Sequence, residues 1–512
     1  MQQRKYRSRV RKIFGRRLLI ALIILFQIVF LAVMLFRSYQ LYWLAALLTA
    51  LSVATALHLM MRDDKSAFKL SLVFLILLFP IFGGVFYWVF HFQTATVGFR
   101  RRLDRLTQQQ KREFSVSDDA LRRATEALPK DRRLLRYLQS VPAFPVYQNT
   151  QTQYFPSGRE MLEEMLVDLR RAEKYIFMEY FIIEEGIMWD SILEILREKA
   201  HEGVDVRLIY DDFGSILTLP TGYDKQLCAQ GIQCVAFNKF HPFLTTLQNN
   251  RDHRKITVID GKIAYTGGVN LADEYIDEKI RFGRWKDNAL RLCGEAVESF
   301  TLMFLQMWSL LAKQEEHPHA YLPSPLFASV SDGWVQPYSD SPVDKENVGE
   351  NVFLHAFDRS QKYLYITTPY LMVGDELISA LKACAQSGVD VKIITPCKPD
   401  KPMVHFTTRS YYRELMEAGV KIYEFSEGFI HAKTVISDGD FSVVGTVNLD
   451  YRSLYLHFEC GVCMYGTSTT AAVEKDFLET LARCREITAA DCKTNLFVEL
   501  LQEICRVFAP LM

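Results

Sequence analysis

The sequence lacks the motifs that are typical of nucleotide-using and zinc-dependent enzymes. The phosphate-binding loop Gly-x-x-x-x-Gly-Lys-Ser/Thr is absent, which predicts a reaction that uses no nucleoside triphosphate. No His-x-x-x-His spacing occurs and Cys460-x-x-Cys463 stands alone, so the residues predict no metal and no other cofactor. All ten cysteines follow Gly222. Unpaired thiols in that number favour a reducing compartment, although a sequence alone does not exclude disulfides.

Acidic residues are scarce in the first part of the chain. Through Arg136 there are 24 basic and 8 acidic residues, a net charge of +16, and the remainder carries 36 basic and 52 acidic residues, a net charge of −16. This asymmetry excludes one uniform globule and argues against a C-terminal part that binds nucleic acid, because phosphate backbones need a cationic surface. With 49% apolar and 23% charged residues the chain is predicted to fold, and 512 residues suggest about three structural units.

The N-terminal region contains three apolar runs without a formal charge, each long enough at about 1.5 Å per residue to cross about 30 Å of hydrocarbon. They are Leu18–Phe36, Leu41–Met61 and Leu70–Phe92. They predict a membrane anchor over residues 1–92 with up to three transmembrane helices. The alternatives are a cleaved signal peptide for the first run and buried core helices for the others. The first run is longer than a signal peptide core and no Ala-x-Ala site follows it, so we expect it to remain in the mature protein.

The orientation of this anchor stays open. Eight Lys and Arg residues precede Leu18, and four arginines lie within residues 100–105 after the last run. Three spans cannot place both positive flanks on the cytoplasmic side. Either the part of the chain after these arginines lies outside, or the first two runs form a re-entrant hairpin or otherwise fail to span independently. The cysteine content favours the cytoplasmic face.

Residues 93–150 are predicted to form a basic juxtamembrane linker. They carry arginine-rich helical patterns such as Leu121–Leu138, followed by the helix breakers Pro142 and Pro145. Their basic face either lies against anionic lipid headgroups or is simply solvated. At the other end of the chain, residues 491–512 are predicted to form an amphipathic helix, because Leu496, Leu500 and Ile504 are four residues apart. That helix either docks on the membrane or caps the preceding lobe.

An internal repeat is the most informative feature of the sequence. Four blocks recur in the same order: YIFMEYFII, GVDVRLIYDD, GIQCVAF and HRKITVIDGKIAYTGGVN, then YLYITTPYLM, GVDVKIITPC, GVKIYEF and HAKTVISDGDFSVVGTVN. Short β-branched runs that alternate with polar helices indicate an α/β fold with a mostly parallel or mixed sheet flanked by helices. We therefore expect two pseudo-symmetric lobes, at 151–320 and 335–490, whose equivalent positions meet at one seam.

The last block of each copy carries the spacing His-x-Lys-x-x-x-x-Asp followed by Gly-x-x-Asn. The residues are His253, Lys255, Asp260, Gly267 and Asn270, and then His431, Lys433, Asp438, Gly445 and Asn448. A His and a Lys two positions apart on a strand face the same side. Two such strand ends at one seam would form a pocket for a phosphodiester, in which cations and amides hold the oxygens, one imidazole attacks phosphorus and the other transfers protons.

These motifs resemble those of the phospholipase D superfamily, and the longer stretches resemble the bacterial cardiolipin synthases. The resemblance covers nearly the whole chain and includes SLVFLILLFPIFGGVFYWVF, TTPYLMVGDELISALK, RSYYRELMEAGVKIYEF and GFIHAKTVISDGDFSVVGTVNLDYRSL. It implies two phospholipase D-like lobes and a phosphatidyltransferase that converts two phosphatidylglycerol molecules into cardiolipin and glycerol through a phosphohistidine. The implied partners are phosphatidylglycerol and the membrane, without nucleic acid.

The resemblance also implies roles for the site residues. His253 is the expected nucleophile and His431 the acid and base. Asp260 and Asp438 complete the two catalytic motifs and are expected to be structural more often than chemical. The groups expected to bind phosphoryl oxygens are Lys255, Lys433, Asn270 and Asn448. A further carboxylate is expected on the strand that follows each histidine, and the candidates are Asp287 and Glu459, which would orient the imidazoles.

The chain departs from the family pattern at one position of each motif. The family often has Gly-Ser before the x-Asn, whereas this chain has Gly267-Gly268 and Gly445-Thr446. The missing hydroxyl at Gly268 leaves the choice of nucleophile between His253 and His431 open. Two other classes of function also remain, a phospholipase D-type hydrolase or nuclease and a silent lipid-binding protein. The acidic C-terminal part disfavours a nuclease, and the retained His and Lys pairs disfavour a silent protein.

Overall fold

The computed structural model describes residues 29, 42–80, 83–91, 94–113, 118–239, 249–314, 316–322 and 332–512. The chain divides into two compact units. The N-terminal unit comprises residues 1–97, 240–248 and 511, and the large unit comprises residues 98–239, 249–510 and 512.

The N-terminal unit has three described helices, α1 (Tyr42–Met60), α2 (Ser66–Leu78) and α3 (Gly83–His91). They bury a small apolar cluster of Ala56, Leu59, Val73 and Ile76. Gly84 allows α3 to approach α1 closely, because a Cβ atom there would lie 2.8 Å from the Cα of Ser52. The Gly84 amide donates instead to the Ser52 hydroxyl at 2.8 Å.

The structure differs from the predicted spans in this unit. The first predicted run, Leu18–Phe36, lies outside the described residues except for Val29. The run Leu70–Phe92 was expected to be one helix, but α2 ends at Leu78. Pro80 explains the break, because it has no amide hydrogen and disfavours the helical conformation of Phe79 before it. Within the described ranges no helix combines the length and the apolar character needed to cross a membrane.

The large unit contains two lobes with the same strand order. The strands of the first lobe are β1 (Thr150–Phe155), β2 (Tyr175–Tyr180), β3 (Asp205–Asp211), β4 (Gln233–Phe237), β5 (Arg251–Asp252), β6 (Lys255–Ile259), β7 (Ile263–Gly267), β8 (Arg284–Lys286) and β9 (Ala289–Gly294). Seven of them form a sheet in the order β1-β9-β7-β6-β2-β3-β4. The pairs β2–β3 and β3–β4 are parallel and the other neighbours are antiparallel, so the sheet is mixed.

The second lobe repeats this arrangement. Its strands are β10 (Trp334–Asp340), β11 (Tyr363–Thr367), β12 (Leu371–Met372), β13 (Asp390–Pro396), β14 (Lys421–Phe425), β15 (Gly428–Ile430), β16 (Thr434–Ser437), β17 (Phe441–Gly445), β18 (Leu449–Asp450), β19 (His457–Tyr465) and β20 (Cys484–Glu486). The order β10-β19-β17-β16-β11-β13-β14-β20 matches the first sheet strand for strand, with β20 added at the edge. The predicted pair of α/β lobes is therefore confirmed.

Further helices follow those of the N-terminal unit, and several of them pack on the two sheets. They are α4 (Thr94–Glu113), α5 (Asp118–Ala127), α6 (Arg132–Ser140), α7 (Gly158–Arg170), α8 (Ile187–His201), α9 (Tyr223–Cys228), α10 (Val297–Ala312), α11 (Val348–Arg359), α12 (Asp375–Gln386), α13 (Pro402–Ser410), α14 (Tyr412–Glu417), α15 (Tyr451–Tyr455), α16 (Ser468–Leu481) and α17 (Leu496–Phe508). In α8 the apolar residues recur every three or four positions, and Trp189, Ile192 and Leu196 are fully buried against the first sheet. Burial of each such apolar side chain stabilises the fold by about 1.5–3 kcal/mol.

The predicted linker over residues 93–150 is in part a component of the second lobe. Leu134, Leu135 and Leu138 of α6 are buried, and the carboxylate of Asp131 forms an ion pair with Arg359 at 2.8 Å and a hydrogen bond with Nε2 of His355 at 2.9 Å. The arginines that suggested a solvated linker alternate with leucines at helical spacing. The leucines therefore pack inward, and this segment belongs to the folded body.

Helix α17 has one exposed and one anchored side. Glu503 is the charged exception among its exposed residues, and the others are apolar: Leu496, Phe497, Leu500, Leu501 and Ile504. On the other side Cys505 is buried, and Arg506 forms an ion pair with Glu414 at 2.5 Å and lies 4.4 Å above the Tyr411 ring. The helix thus caps the second lobe while its apolar side faces outward.

Candidate active site

Two equivalent strand ends carry the motif histidines and lysines. His253 lies between β5 and β6, and Lys255 opens β6. Both side chains lie beside the Phe181 ring. The centre of that ring is 5.1 Å from the centre of the His253 ring and 5.6 Å from Nζ of Lys255. Arg254 points away from them and forms an ion pair with buried Glu179 at 2.5 Å. The predicted alternation of side chains along this strand is thus present.

The two lobes interlock at the histidines through short strand pairs. β5 of the first lobe pairs in parallel with β19 of the second, and the His253 amide donates to the Phe458 carbonyl at 3.0 Å. In the mirrored position β15 of the second lobe pairs with β8 of the first, and the His431 amide donates to the Lys286 carbonyl at 2.7 Å. Both imidazoles therefore lie on one seam between the lobes.

Each imidazole binds a carboxylate of the opposite lobe. Nδ1 of His253 lies 2.9 Å from Oε1 of Glu459, and Nδ1 of His431 lies 2.8 Å from Oδ2 of Asp287. We expected each carboxylate to serve the histidine of its own repeat, so the pairing is crossed. Because an ionised carboxylate only accepts hydrogen bonds, the proton lies on Nδ1 and leaves Nε2 of each ring free as the reactive nitrogen.

Burial has the largest effect on the pKa values of both histidines and lowers them. It lowers the pKa of His253 well below its ordinary value, and the neighbouring ammonium groups of Lys255 and Lys433 add to this effect. Burial and Lys433 lower the pKa of His431 to about 4. Both rings are therefore neutral near pH 7 in the free protein. A bound phosphodiester would add negative charge beside them and favour protonation of the acid.

The two lysines supply cations at the seam. The ammonium of Lys255 donates to the His253 carbonyl at 2.5 Å, and that of Lys433 donates to the His431 carbonyl. Burial lowers the pKa of Lys255 to about 8 and that of Lys433 to about 7. An anionic ligand at this place would stabilise both ammonium groups.

The motif asparagines occupy different environments. Asn270 is engaged within its lobe, since its Oδ1 accepts from the Ile182 amide at 3.0 Å and its Nδ2 donates to the Tyr275 hydroxyl at 2.7 Å. Asn448 is buried, and its Oδ1 has no hydrogen-bond partner among the residues that the structure describes. Only one Nδ2 hydrogen of Asn270 is left for a ligand.

The motif aspartates lie away from the imidazoles and have the structural role that is the commoner one expected for them. Asp260 follows the far end of β6 and accepts from the amides of residues 173, 174 and 175 at 2.8–2.9 Å. Asp438 does the same for residues 361, 362 and 363. At about 3.3 Å per strand residue, each lies roughly 20 Å along the chain from its histidine. Both therefore fix the start of a neighbouring strand and cannot transfer protons in the pocket.

The family departure at Gly268 and Thr446 has a structural counterpart. The Thr446 hydroxyl donates to Glu459, the carboxylate that binds His253. At Gly268 a Cβ atom would lie 1.9 Å from Oδ1 of Asp287. The carboxylate of Asp287 occupies this space. It accepts hydrogen bonds from the Asn288 amide at 2.9 Å and from the Trp285 indole at 3.3 Å.

Three aromatic or imidazole side chains line the pocket although no sequence motif marks them. Tyr275 and Trp285 lie 5.8 Å and 5.5 Å from the His431 ring centre, and His457 lies 5.4 Å from that of His253. Trp285 and His457 each stand two residues before an orienting carboxylate. Strand alternation could have identified them once those carboxylates were chosen.

One group of residues in the described part of the chain has the composition of a metal site. The ligand atoms of His253, His457 and Glu459 lie within 4.8 Å of one another. The nearby ammonium groups of Lys255 and Lys433 oppose a divalent cation, because like charges repel strongly in a buried pocket.

The duplicated lobes and the crossed imidazole–carboxylate pairs define the chain as a phospholipase D-like enzyme. The family model described as "Cardiolipin synthase, PLD-like domain" matches residues 165–308 and 353–481, more than half of the chain. The chain therefore belongs to the cardiolipin synthase family of the phospholipase D superfamily.

Individual relatives agree with this assignment. A cardiolipin synthase of Geobacillus kaustophilus is 32% identical over 91% of this chain and 93% of its own length. An uncharacterized protein of Streptococcus mutans is 44% identical over 90% of this chain and 100% of its own length. Among solved structures, a phosphatidylserine synthase of Haemophilus influenzae is similar with a TM-score of 0.57 and 18% identity, covering 75% of this chain and 98% of that one. The last likeness supports the fold.

Proposed function

We propose that the protein joins two phosphatidylglycerol molecules to form cardiolipin and glycerol. The observation that carries this proposal is the crossed pairing of His253 with Glu459 and of His431 with Asp287. It presents two free Nε2 atoms and two ammonium groups to one seam, which suits an anionic phosphodiester. The membership of the chain in the cardiolipin synthase family supports the choice of lipid substrate.

The reaction has two balanced steps. Nε2 of His253 attacks the phosphorus of one phosphatidylglycerol, the P–N bond forms, and the P–O bond to glycerol breaks while His431 gives a proton to the departing oxygen. His431 then takes the proton from the headgroup hydroxyl of a second phosphatidylglycerol. That oxygen attacks phosphorus, the P–N bond breaks, and cardiolipin leaves. Lys255, Lys433 and the amides of Asn270 and Asn448 stabilise the charge on the phosphoryl oxygens.

Product analysis tests this activity. Purified full-length protein in detergent is incubated with labelled phosphatidylglycerol, and the lipids are separated. We expect cardiolipin and free glycerol in equal amounts. Phosphatidic acid as the sole product would assign a hydrolase instead. The separate variants His253→Ala and His431→Ala should both abolish turnover, and near-normal turnover in either would contradict a shared pocket.

The order of the two histidines needs a substrate with a good leaving group. A phosphatidyl ester of p-nitrophenol does not need a protonated leaving oxygen, so the general acid becomes dispensable in the first step. We therefore expect His431→Ala to release one equivalent of p-nitrophenol and to retain a phosphatidyl group on His253. His253→Ala should release none. The reverse result would make His431 the nucleophile.

We also propose that the enzyme is a multi-pass protein of the cell membrane whose lobes face the cytoplasm. Support comes from the apolar runs in residues 1–92, from the free state of all ten cysteines, and from the outward apolar side of α17, which suits a lipid surface. The exposed Cys228 offers a test in intact cells. We expect a membrane-impermeant thiol reagent to label it only after lysis, with Cys228→Ser as the control. Labelling of intact cells would place the lobes outside.

A further inference from the structure

His457 is a buried histidine in the pocket that the reaction described above does not use. It opens β19, two residues before Glu459, and its Nδ1 lies 3.5 Å from Oε1 of that carboxylate. In the free protein this Nδ1 has no hydrogen-bond partner among the described residues, so at 3.5 Å the Glu459 carboxylate is its nearest acceptor but is not yet hydrogen-bonded to it. A buried polar atom aimed at the carboxylate that binds the nucleophile calls for an explanation.

Arg452 determines which nitrogen of His457 carries the proton. Nε of Arg452 donates to Nε2 of His457 at 3.4 Å. An arginine can only donate, so Nε2 must be the acceptor and the proton of the neutral ring lies on Nδ1. Nη1 of Arg452 is itself held by the Met512 carbonyl at 2.8 Å. The N–H of His457 therefore lies on the nitrogen that is 3.5 Å from Glu459.

The same tautomer argues against a metal ion at this place. A metal bound to Nδ1 of His457 would move the ring proton to Nε2, where it would face the Nε–H of Arg452. Two donors would then oppose each other in a buried site. The group formed by His253, His457 and Glu459 is better explained as two imidazoles that face one carboxylate, of which His253 is hydrogen-bonded to it.

The other half of the pocket contains an equivalent ring N–H beside its carboxylate. Trp285 stands two residues before Asp287, as His457 stands two residues before Glu459, and its indole N–H donates to Asp287 Oδ2 at 3.3 Å. An indole has only a donor. In each lobe a ring N–H at the same position thus contacts the carboxylate that orients the imidazole of the opposite lobe.

We propose that His457, set in its Nδ1–H form by Arg452, is a positioning residue that fixes the Glu459 carboxylate against His253. The contact is long in the free protein, and catalytic hydrogen bonds often tighten only with substrate bound. The proposal rests on the proposed phosphatidyl transfer for its effect on rate, but the tautomer itself does not.

Two variants separate the Nδ1 donor from mere bulk. In His457→Asn the side-chain amide occupies the position of Nδ1, whereas in His457→Gln it occupies that of Nε2. We expect His457→Asn to retain kcat for cardiolipin formation within about 3-fold and His457→Gln to lose about 10–100-fold, the usual range for residues that orient a catalytic group. KM for phosphatidylglycerol should stay within about 2-fold in both. Equal losses in the two variants would overturn the proposal.

A matched control separates positioning from stability. His355 is another nearly buried histidine bound to a carboxylate, Asp131, at 2.9 Å, and it lies outside the pocket. His355→Gln should lower the melting temperature without changing kcat of the folded protein. A loss of kcat as large as that of His457→Gln would show that any buried histidine gives the effect and would contradict a specific role.

A spectroscopic test needs no turnover. In ¹⁵N-histidine spectra of the detergent-solubilised protein, the signal lost in His457→Asn should have the shifts of the Nδ1–H tautomer. The Nε2–H tautomer would overturn the proposal. If wild-type protein forms no cardiolipin but shows the Nδ1–H form, the proposed function fails and the tautomer set by Arg452 stands. Inhibition by added Zn²⁺ that disappears in His457→Asn would assign a metal site and overturn it.

Discussion

Asp287 of the first lobe binds His431 of the second lobe through an Oδ2–Nδ1 contact of 2.8 Å. The equivalent contact between Glu459 and His253 runs in the opposite direction. Each imidazole is thus carried by one repeat and oriented by the other. Two copies of the motif must therefore meet at one seam, because a lone repeat would hold a histidine without its carboxylate.

Removing the charge of either carboxylate should impair the histidine of the opposite lobe. Asp287→Asn and Glu459→Gln keep the side-chain size but can present a donor to Nδ1, which favours the wrong imidazole tautomer. We expect kcat for cardiolipin formation to fall by at least roughly 100-fold in each variant, with normal folding. Steady-state assays with circular dichroism as the folding control would check this. Activity within a few-fold of wild type would contradict the crossed pairing.

The motif aspartates should behave in the opposite way. Asp260→Ala removes the acceptor for three backbone amides and should lower the free energy of unfolding of the large unit by about 1–3 kcal/mol. The kcat of the remaining folded enzyme should stay near the wild-type value, because the carboxylate lies far from the pocket. Thermal melting followed by activity per folded molecule distinguishes the two effects. A stable but inactive Asp260→Ala variant would contradict this prediction and show that Asp260 takes part in catalysis.

Much of this site could be predicted from local periodicity in the sequence. The pairing of strands that are distant in the sequence could not be predicted in this way. Two-residue alternation placed His253 beside Lys255, and block repetition predicted two equivalent lobes. The crossed carboxylates depend on the pairing of β5 with β19 and of β8 with β15, which joins residues about 200 and 140 positions apart. No local pattern encodes such a register. The same limit hid Arg452, whose partner is known only after β19 is placed.

Substrate affinity should weaken as the pH rises through the pKa values of the two lysines. Because burial lowers these values to about 7 for Lys433 and about 8 for Lys255, Lys433 loses its charge around pH 7 and Lys255 around pH 8, and both are mostly neutral by pH 9. KM for phosphatidylglycerol should therefore rise between pH 6.5 and pH 9, by about 10-fold or more. The assay is run at constant ionic strength in vesicles of fixed composition. Lys433→Arg, which stays charged, should show a smaller rise, and a flat wild-type profile would contradict the prediction.

The Thr446 hydroxyl should matter for the first histidine because it donates to Glu459. Thr446→Val keeps the shape and removes the donor, so we expect kcat to fall about 10-fold, in the range for residues that orient a catalytic group. Thr446→Ser restores the hydroxyl and should recover most of the rate. Equal rates in the two variants would indicate that the methyl group, and not the hydroxyl, supports the site.

Gly268 is the position where the first lobe has no room for the corresponding side chain. In Gly268→Ala the new methyl group would lie 1.9 Å from Oδ1 of Asp287 and 3.0 Å from the His431 carbonyl. Asp287 can move only by leaving His431, Trp285 or its own following amide, so relief of the clash disrupts the pair that orients His431. We therefore expect a folded protein whose kcat is reduced by roughly 10–100-fold. Gly98→Ala, where a Cβ atom meets nothing within 4 Å, is the matched control. Unchanged turnover in Gly268→Ala would mean that the position of Asp287 is not critical for His431.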